Sequence, residues 1–463
     1  MKGTKAKLRR NTRKRKLRKS RKFTLRGGAQ IGEGTSGLVF NPPPCVAGSF
    51  GENEVGKVIH KALLPQEVQR IQEAFGRIPR ELISTYSFYL NMLGTCDIDI
   101  ENADMAPFFK PGVGADGSVV PPRANKDDYV VVRYAYAGEP LQKVLPKLTG
   151  LTHFKTHGAL IKSEEEYNKE LKYFFHSLHK LFYSITLLNE HGIIHRDIKP
   201  ANITQQADKE LTLIDFGILA FQDRPEEALF KQTNGYMYTY WPMEGPVVLD
   251  EFGFLNISND RLQDFVDAIL GGKILRDPTS KKYSNQRLEY HFKFAGISSE
   301  QRAEEIYKMV DSVKFICKDI ITKNPEKYPT LAAYITDDTN KHFQITLVDR
   351  YVKSYLDRGK PEEGKALYDE AMLLKTDVRS VLYDYFDVFS IGILLLEFIH
   401  FLEKPENLKI TLSPKNLEFM SKIKALALLM VSSNPLERGN MRQRLKDYES
   451  LEGQMRDDEE MGV

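Results

Sequence analysis

Residues 192–203 read Gly192-Ile193-Ile194-His195-Arg196-Asp197-Ile198-Lys199-Pro200-Ala201-Asn202-Ile203, and seven residues later the chain continues Leu211-Thr212-Leu213-Ile214-Asp215-Phe216-Gly217. These two strings decide the fold. Moving a phosphoryl group from a nucleotide needs few protein groups, because the work is positioning and charge neutralisation around a metaphosphate-like transition state. Asp197 suits the role of accepting an acceptor hydroxyl's proton. Asn202, five residues on, carries an amide oxygen fit for a magnesium ion, and Asp215 offers a hard carboxylate to metal ions that bridge phosphates. Lys199 follows Asp197 by two residues, where its ammonium can meet the transferring phosphate as a point charge; the bland alternative is a solvated surface lysine. His-Arg-Asp or Asp-Phe-Gly alone arises by accident in any large chain, but the ordered pair with Asn202 in register does not.

The strings resemble the H-R-D-L-x-x-x-N and D-F-G motifs of eukaryotic-type protein kinases. That resemblance implies an α+β, bilobal protein-kinase fold, with a small β-rich N-lobe and a larger, mainly helical C-lobe. It implies ATP and Mg2+ as cofactors, and a lysine at position 199 resembles the Ser/Thr-directed subgroup.

Upstream, Gly32, Gly34 and Gly37 fall in G-x-G-x-x-G order, with Glu33 between the first two and Val39 following. A dinucleotide-binding turn shares that spacing but needs a helix next, which Pro42, Pro43 and Pro44 forbid. The expectation is a β-hairpin whose glycines let the backbone close over phosphates. Twenty residues after Gly37, Lys57 sits in an apolar alternation suited to a strand and matches the family's phosphate-pairing lysine, with Lys61 as runner-up. Such a lysine is held by a helix carboxylate. The helix starting near Pro65 spaces Val68, Ile71 and Phe75 on one face and offers two acids. Glu67 resembles the family's E-x-x-x-apolar pattern, while Glu73 has the commoner separation from the lysine; both stay open. The longer string G-G-x-x-I-G-x-G-x-x-G-x-V-F-x-P-x-x-C, residues 27–45, resembles kinases encoded by large nucleocytoplasmic DNA viruses. Residues 95–128 read as an elaborated surface loop. After it, Tyr129 to Arg133 form a buried strand, and Tyr134 to Gly138 resemble the linker that binds the adenine edge, with Tyr136 in that set.

Downstream of Ser163, Leu171, Phe174, Phe175, Leu178, Phe182, Ile185 and Leu188 recur at helical spacing up to His191-Gly192, a core stripe that aims the loop holding Asp197. From Asp215 the chain runs to Tyr240-Trp241-Pro242-Met243-Glu244, a degenerate form of the family's A-P-E ending. The resemblance implies that Glu244 pairs with Arg438, that Arg196 can receive a phosphate from Thr233 or Thr239, and that Asp387, at the head of an apolar helix from Phe386, supports the His-Arg-Asp backbone. Residues 245–380 are then an insertion, with an apolar stripe at Ile306, Met309, Val310, Val313, Cys317 and Ile320. It either controls access to the substrate segment or is a structural decoration. The organisation read is 1–26 disordered basic arm, 27–134 N-lobe, 135–244 first part of the C-lobe, 245–380 insertion, 381–445 second part of the C-lobe and 446–463 acidic tail.

The 463 residues carry 41% hydrophobic residues, enough for a sizeable core. Three cysteines, Cys45, Cys96 and Cys317, argue against a disulfide framework and for a reducing compartment. No apolar run reaches the length of a membrane span and no signal peptide is evident, so the expected location is intracellular, cytoplasmic or nuclear, or virion-associated. Met1 to Arg26 hold 14 Lys and Arg without an acid, leaving 52 bases against 63 acids elsewhere. Such an arm suits nucleic acid or another acidic partner, with steep salt dependence. Protein substrates with Ser/Thr acceptors are the expected partners of the site. Two other readings compete: a pseudokinase scaffold binding through arm and insertion, and a kinase of lipids or small molecules.

Overall fold

Alternating apolar residues in Glu54–His60 and the β-branched run Val130 to Val132 form the spine of an antiparallel sheet, since such side chains pack well on a pleated surface. The computed structural model describes residues 29–34, 37–46, 50–51, 53–85, 92–101, 105, 109–110, 112–113, 119–120, 124–148, 164–206, 210–224, 240–242, 244, 292–293, 295–336, 361–403 and 412–460. They divide into two units, the first within Met1–Lys61 and Met92–Tyr134, the second within Ala62–Asn91 and Ala135–Val463.

In the first unit, β1 (Ala29–Gly34), β2 (Gly37–Asn41), β3 (Glu54–His60), β4 (Met92–Cys96) and β7 (Tyr129–Ala135) form a five-stranded sheet of order β1-β2-β3-β7-β4. A small antiparallel pair, β5 (Gly112–Val113) and β6 (Val119–Val120), lies in the loop before β7. Phe40, Cys45, Val58, Ile98, Met105 and Val131 make the core of this unit. A Cβ on Gly56 would meet Val131 Cγ1 at 2.6 Å and Pro43 Cα at 2.9 Å, so β3 needs glycine there to lie against its neighbours. Cys45 and Cys96, 51 residues apart with Cα atoms 5.8 Å from each other, are joined in a disulfide. The expectation of no disulfide is therefore corrected. An isolated bridge between Cys45 and Ile98 brings the stretch after β2 against the end of β4, a tertiary pairing that cysteine spacing does not reveal. The cysteine argument for a reducing compartment falls with it, leaving only Cys317, buried and unbonded.

The second unit begins with α1 (Leu64–Arg77) and α2 (Arg80–Thr85), continues through β8 (Glu139–Pro140) and α3 (Leu141–Leu148), and reaches the long α4 (Glu164–Glu190). Short strands follow: β9 (Ile193–Ile194), β10 (Ile203–Gln205), β11 (Leu211–Leu213) and β12 (Ala220–Phe221). Then come α5 (Arg302–Lys323), α6 (Pro329–Thr336), α7 (Pro361–Tyr383), α8 (Phe386–Glu403), α9 (Pro414–Met430), α10 (Pro435–Arg438) and α11 (Met441–Glu460). All seven residues of the apolar stripe on α4 are buried, each burial stabilising by about 1.5–3 kcal/mol. The helix stops at Gly192, whose φ of 70° a side chain would resist. Helix α8 is apolar on every side and almost wholly buried, as a helix at the centre of a core must be. The stretch Tyr368–Glu403 is long and apolar enough to cross a membrane by composition, against the expectation that no run is, but 78% of its apolar window is buried within the protein.

One boundary differs from the sequence reading, and two other segments gain detail. Residues 62–85, expected in the N-lobe, group with the second unit because Ile71, Ala74 and Ile78 of α1 enter the core built by α4 and α8. The acidic tail from 446 is helical to Glu460 and anchored, since Tyr448 is fully buried and donates to the Phe175 carbonyl at 2.5 Å. The six-residue stripe of the insertion is buried as expected, yet its core is not separate: α5 and α7 share one apolar cluster with Ile194, Ala220, Trp241 and Phe386.

Candidate active site

Between β9 and β10 the chain makes a tight loop that carries His195, Arg196 and Asp197, and its backbone is held by one buried carboxylate. Asp387, the second residue of α8, accepts from the backbone N–H of His195 at 2.8 Å and of Arg196 at 2.9 Å, and from Asn189 Nδ2 at 3.1 Å. Burial pushes the Asp387 carboxyl above the usual range while these donors pull the other way. Arg196 sits at φ 67°, a left-handed conformation that a non-glycine residue adopts only where surroundings impose it. Trp241 contributes to that imposition, its indole N–H donating to the Arg196 carbonyl at 2.7 Å.

The His195 ring is buried and its two nitrogens are spoken for. Nδ1 accepts from the Asp197 N–H at 3.2 Å, so the proton lies on Nε2, which donates to the Ile214 carbonyl at 3.1 Å. Burial lowers its pKa to about 4. The same ring meets Phe216 edge-on at 4.8 Å, and Phe216 meets Phe75 of α1 at 5.4 Å.

Asp197 is where the side chains converge. Lys199 Nζ lies 3.0 and 2.9 Å from its two carboxylate oxygens, and Asn202 Nδ2 donates to Oδ2 at 2.7 Å and to the Asp197 carbonyl at 2.8 Å. Burial raises the Asp197 pKa, the Lys199 ammonium lowers it, and the nearby Asp215 carboxylate raises it again. Asp215 itself stands at φ 63°. The antiparallel pairing of β10 with β11, continued by the Ile214 N–H donating to the Asn202 carbonyl at 2.8 Å, brings Asn202 and Asp215 to one end of a hairpin. With its amide nitrogen committed to Asp197, Asn202 keeps a neutral oxygen as donor. An amide oxygen beside a carboxylate fits a hard divalent ion that takes its remaining ligands from phosphates. Among the described residues no group of three or more His, Cys, Asp or Glu forms a self-sufficient metal cage.

In the first unit, the register sets Val39 opposite Lys57, and Glu33 opposite Leu38. Directly opposed residues share one face of a sheet. Lys57 is 7% exposed, a buried cation. Gly32 and Gly34 lie in β1, while Gly37 opens β2, and a Cβ there would stand 2.2 Å from the Val58 carbonyl oxygen. Gly37 is thus required by packing on β3 whatever binds the hairpin. Tyr136, half exposed, follows β7 directly after the division between units.

Of the two acids left open as partners of Lys57, Glu73 is engaged elsewhere. It accepts from Arg77 at 3.1 Å and from Arg224. Arg77 also grips Asp223 through two 3.1 Å bonds and lies 4.0 Å above the Phe221 ring, fastening α1 to β12. Glu67 lies on α1 as expected. Glu244 and Arg438 form the buried pair that the motifs imply, at 2.6 and 3.2 Å and almost without exposure. Thr233, Thr239, Met243 and the basic arm 1–26 fall outside the described residues.

Sequence reasoning missed Trp241, Asn189 and the Arg77 cluster. Only Trp241 had a signal: it is the chain's single tryptophan, set directly before the Pro-Met-Glu ending.

Residues 148–244 match the family model described as Protein kinase domain. Mitogen-activated protein kinase p38b of Drosophila melanogaster is 32% identical over 73 residues, 16% of this chain and 18% of that protein. Human mitogen-activated protein kinase 12 is 29% identical over 93 residues, 20% of this chain and 23% of the relative. A probable inactive serine/threonine-protein kinase of Dictyostelium discoideum is 32% identical over 80 residues, 17% of this chain and 20% of its own length. The matches span about a fifth of the length of these curated relatives.

Proposed function

We propose that the protein is a eukaryotic-type kinase, a reading that the family match and these relatives support, on an α+β protein-kinase fold with a β-rich smaller unit and a mainly helical larger one. We propose that the protein transfers the γ-phosphoryl group of ATP to serine and threonine hydroxyls of protein substrates. The observation that carries this reading is the convergence of Lys199 and Asn202 on the Asp197 carboxylate, with Asp215 close enough to perturb it.

In the proposed reaction Asp197 orients the acceptor hydroxyl and takes its proton as the acceptor oxygen bonds to the γ-phosphorus and the bond to the β–γ bridging oxygen breaks, releasing ADP. A base whose pKa is raised by burial is a better proton acceptor than an ordinary carboxylate. Lys199 then neutralises charge on the moving phosphoryl group. Asn202 and Asp215 would hold Mg2+, which supplies charge neutralisation at the phosphate oxygens. Lys57 and the backbone around Gly32, Glu33, Gly34, Gly37 and Val39 are proposed to hold the nucleotide, with Tyr136 in the stretch beside the adenine. Ser/Thr selectivity is supported by Lys199 and by the mitogen-activated relatives. The glycine string at 27–45 supports the narrower likeness to kinases of large nucleocytoplasmic DNA viruses. The arm, with 14 bases, is proposed to engage nucleic acid or an acidic partner inside the cell, in the cytoplasm, nucleus or virion.

The test is incubation with labelled ATP, magnesium and a basic test protein beside the variant Asp197→Ala, followed by identification of the labelled amino acid. Labelled serine or threonine in the wild type alone is expected. Equal labelling in both proteins, or none in either, sinks the reading, and the latter favours a scaffold.

A further inference from the structure

Trp241 stands between two parts of the second unit that the proposed chemistry does not connect. On one side its N–H holds the carbonyl of Arg196, the residue at φ 67° whose peptide leads into Asp197. On the other, its ring meets Phe386 edge-on at 5.9 Å, and Phe386 meets Tyr383 at 6.4 Å. Tyr383 is the last residue of α7, the helix that closes the insertion. All three rings belong to the apolar cluster that includes the buried face of α5.

The segment carrying Trp241 is itself fastened. Tyr240 donates to Glu397 at 2.5 Å and accepts from Ser390 at 2.6 Å, both on α8, and Glu244 is locked to Arg438. The indole is therefore a fixed donor aimed at a strained peptide. The same end of α7 reaches the other arm of the site, since Gln222, next to β12, donates to the Ser380 carbonyl at 3.2 Å and to Asp384 at 2.7 Å. Strand β12 pairs with β9, which runs into His195.

We propose that Trp241 is a positioning residue, holding the Arg196 carbonyl so that Asp197 is presented to the acceptor, and that through Phe386 and Tyr383 it makes this presentation depend on the inserted helices. The insertion is then a structural component of the transfer site, and the positive-φ turn is maintained by packing from within the chain. The rate arm of the test rests on the transferase reading above; the exchange arm does not.

The variant Trp241→Phe keeps a ring in the cluster and removes only the N–H. Losing one net hydrogen bond that serves the reacting geometry should lower kcat about fivefold to tenfold. KM for ATP should stay within about twofold, because no nucleotide contact is touched. Amide exchange of the peptide covering residues 193–202, followed by mass spectrometry, should accelerate in the variant while α4 keeps its protection. Tyr383→Leu should move both readouts in the same direction. An unchanged kcat with unchanged exchange in Trp241→Phe overturns the proposal, as does a kcat loss matched by an equal rise in KM. Altered readouts in Trp241→Phe with wild-type behaviour in Tyr383→Leu overturn the part played by the insertion. If wild-type labelling is no higher than that of Asp197→Ala, the transferase reading has failed separately, and the exchange result decides the structural claim.

Discussion

Acidification should weaken the fold through one imidazole, and the amount follows from its environment. His195 Nδ1 accepts the Asp197 N–H at 3.2 Å while Nε2 donates to Ile214, so a second proton would set a donor against a donor inside a buried loop. With the folded pKa at about 4 against the ordinary 6.5, the unfolded chain binds the proton first on acidification. Stability contributed by neutral His195 is therefore complete above pH 6.5 and is lost as pH falls towards 4, in all about 3 kcal/mol. From pH 7 to pH 5 the loss is about 2 kcal/mol on the same relation. Asp197 and Asp387 shift upward and act in the opposite sense, but His195 enters those shifts only through its backbone N–H to Asp387, which a side-chain substitution keeps. A comparison with His195→Asn isolates the imidazole, because the variant keeps an acceptor for the Asp197 N–H and cannot titrate. Urea unfolding at the two pH values, followed by the fluorescence of Trp241, reads the unit that contains the loop. Wild type should lose about 2 kcal/mol more than His195→Asn between pH 7 and pH 5. Parallel losses in the two proteins would refute the reasoning.

Arg438→Ala should cost about 3–5 kcal/mol by leaving Glu244 charged and buried, measured by denaturant unfolding of the second unit; a loss under about 1 kcal/mol would show that the pair is hydrated. Cys45→Ser removes a cross-link spanning 51 residues and should lower the stability of the first unit by about 4 kcal/mol in the chain-entropy account, with no further loss on adding a thiol reductant. If reductant still destabilises the variant, the bond is not the source of the stability. Lys199→Met should move the acid limb of kcat/KM for the test protein to higher pH as well as lowering the rate, since the ammonium holds the Asp197 pKa down; an acid limb in the same place would separate Lys199 from the base.

What could be read in the sequence was local or periodic. The stripe on α4, the stripe on α5, and the strings around Asp197 and Asp215 are dictated by residue type at short spacing, and the structure brings Asn202 and Lys199 onto Asp197, a convergence the sequence reading did not specify. Asp387 and Arg438 were legible only through the family resemblance, since nothing local says what they touch. The rest depends on tertiary register. Cys45 meets Cys96 because of how the stretch after β2 lies against β4, and α1 joins the second unit because Ile71 and Ala74 have a larger core to enter there. The sharing of one apolar cluster between α5, α7 and Trp241 was equally hidden, as an amphipathic stripe names a buried face but not the surface that covers it.

Asp387 follows Arg196 by 191 residues, and Arg438 follows Glu244 by 194. In a chain made from its N-terminus, His195 and Arg196 emerge with their backbone donors unmet and Glu244 without its cation. At about 5–20 residues per second that interval lasts on the order of 10–40 s. The stretch 148–244 that carries the family likeness is thus the part that cannot finish itself, and chains ending before Asp387 should be captured by chaperones while chains extending past Arg438 are released. The long insertion sets the length of that wait, so its size is a kinetic property of synthesis as well as a feature of the folded protein.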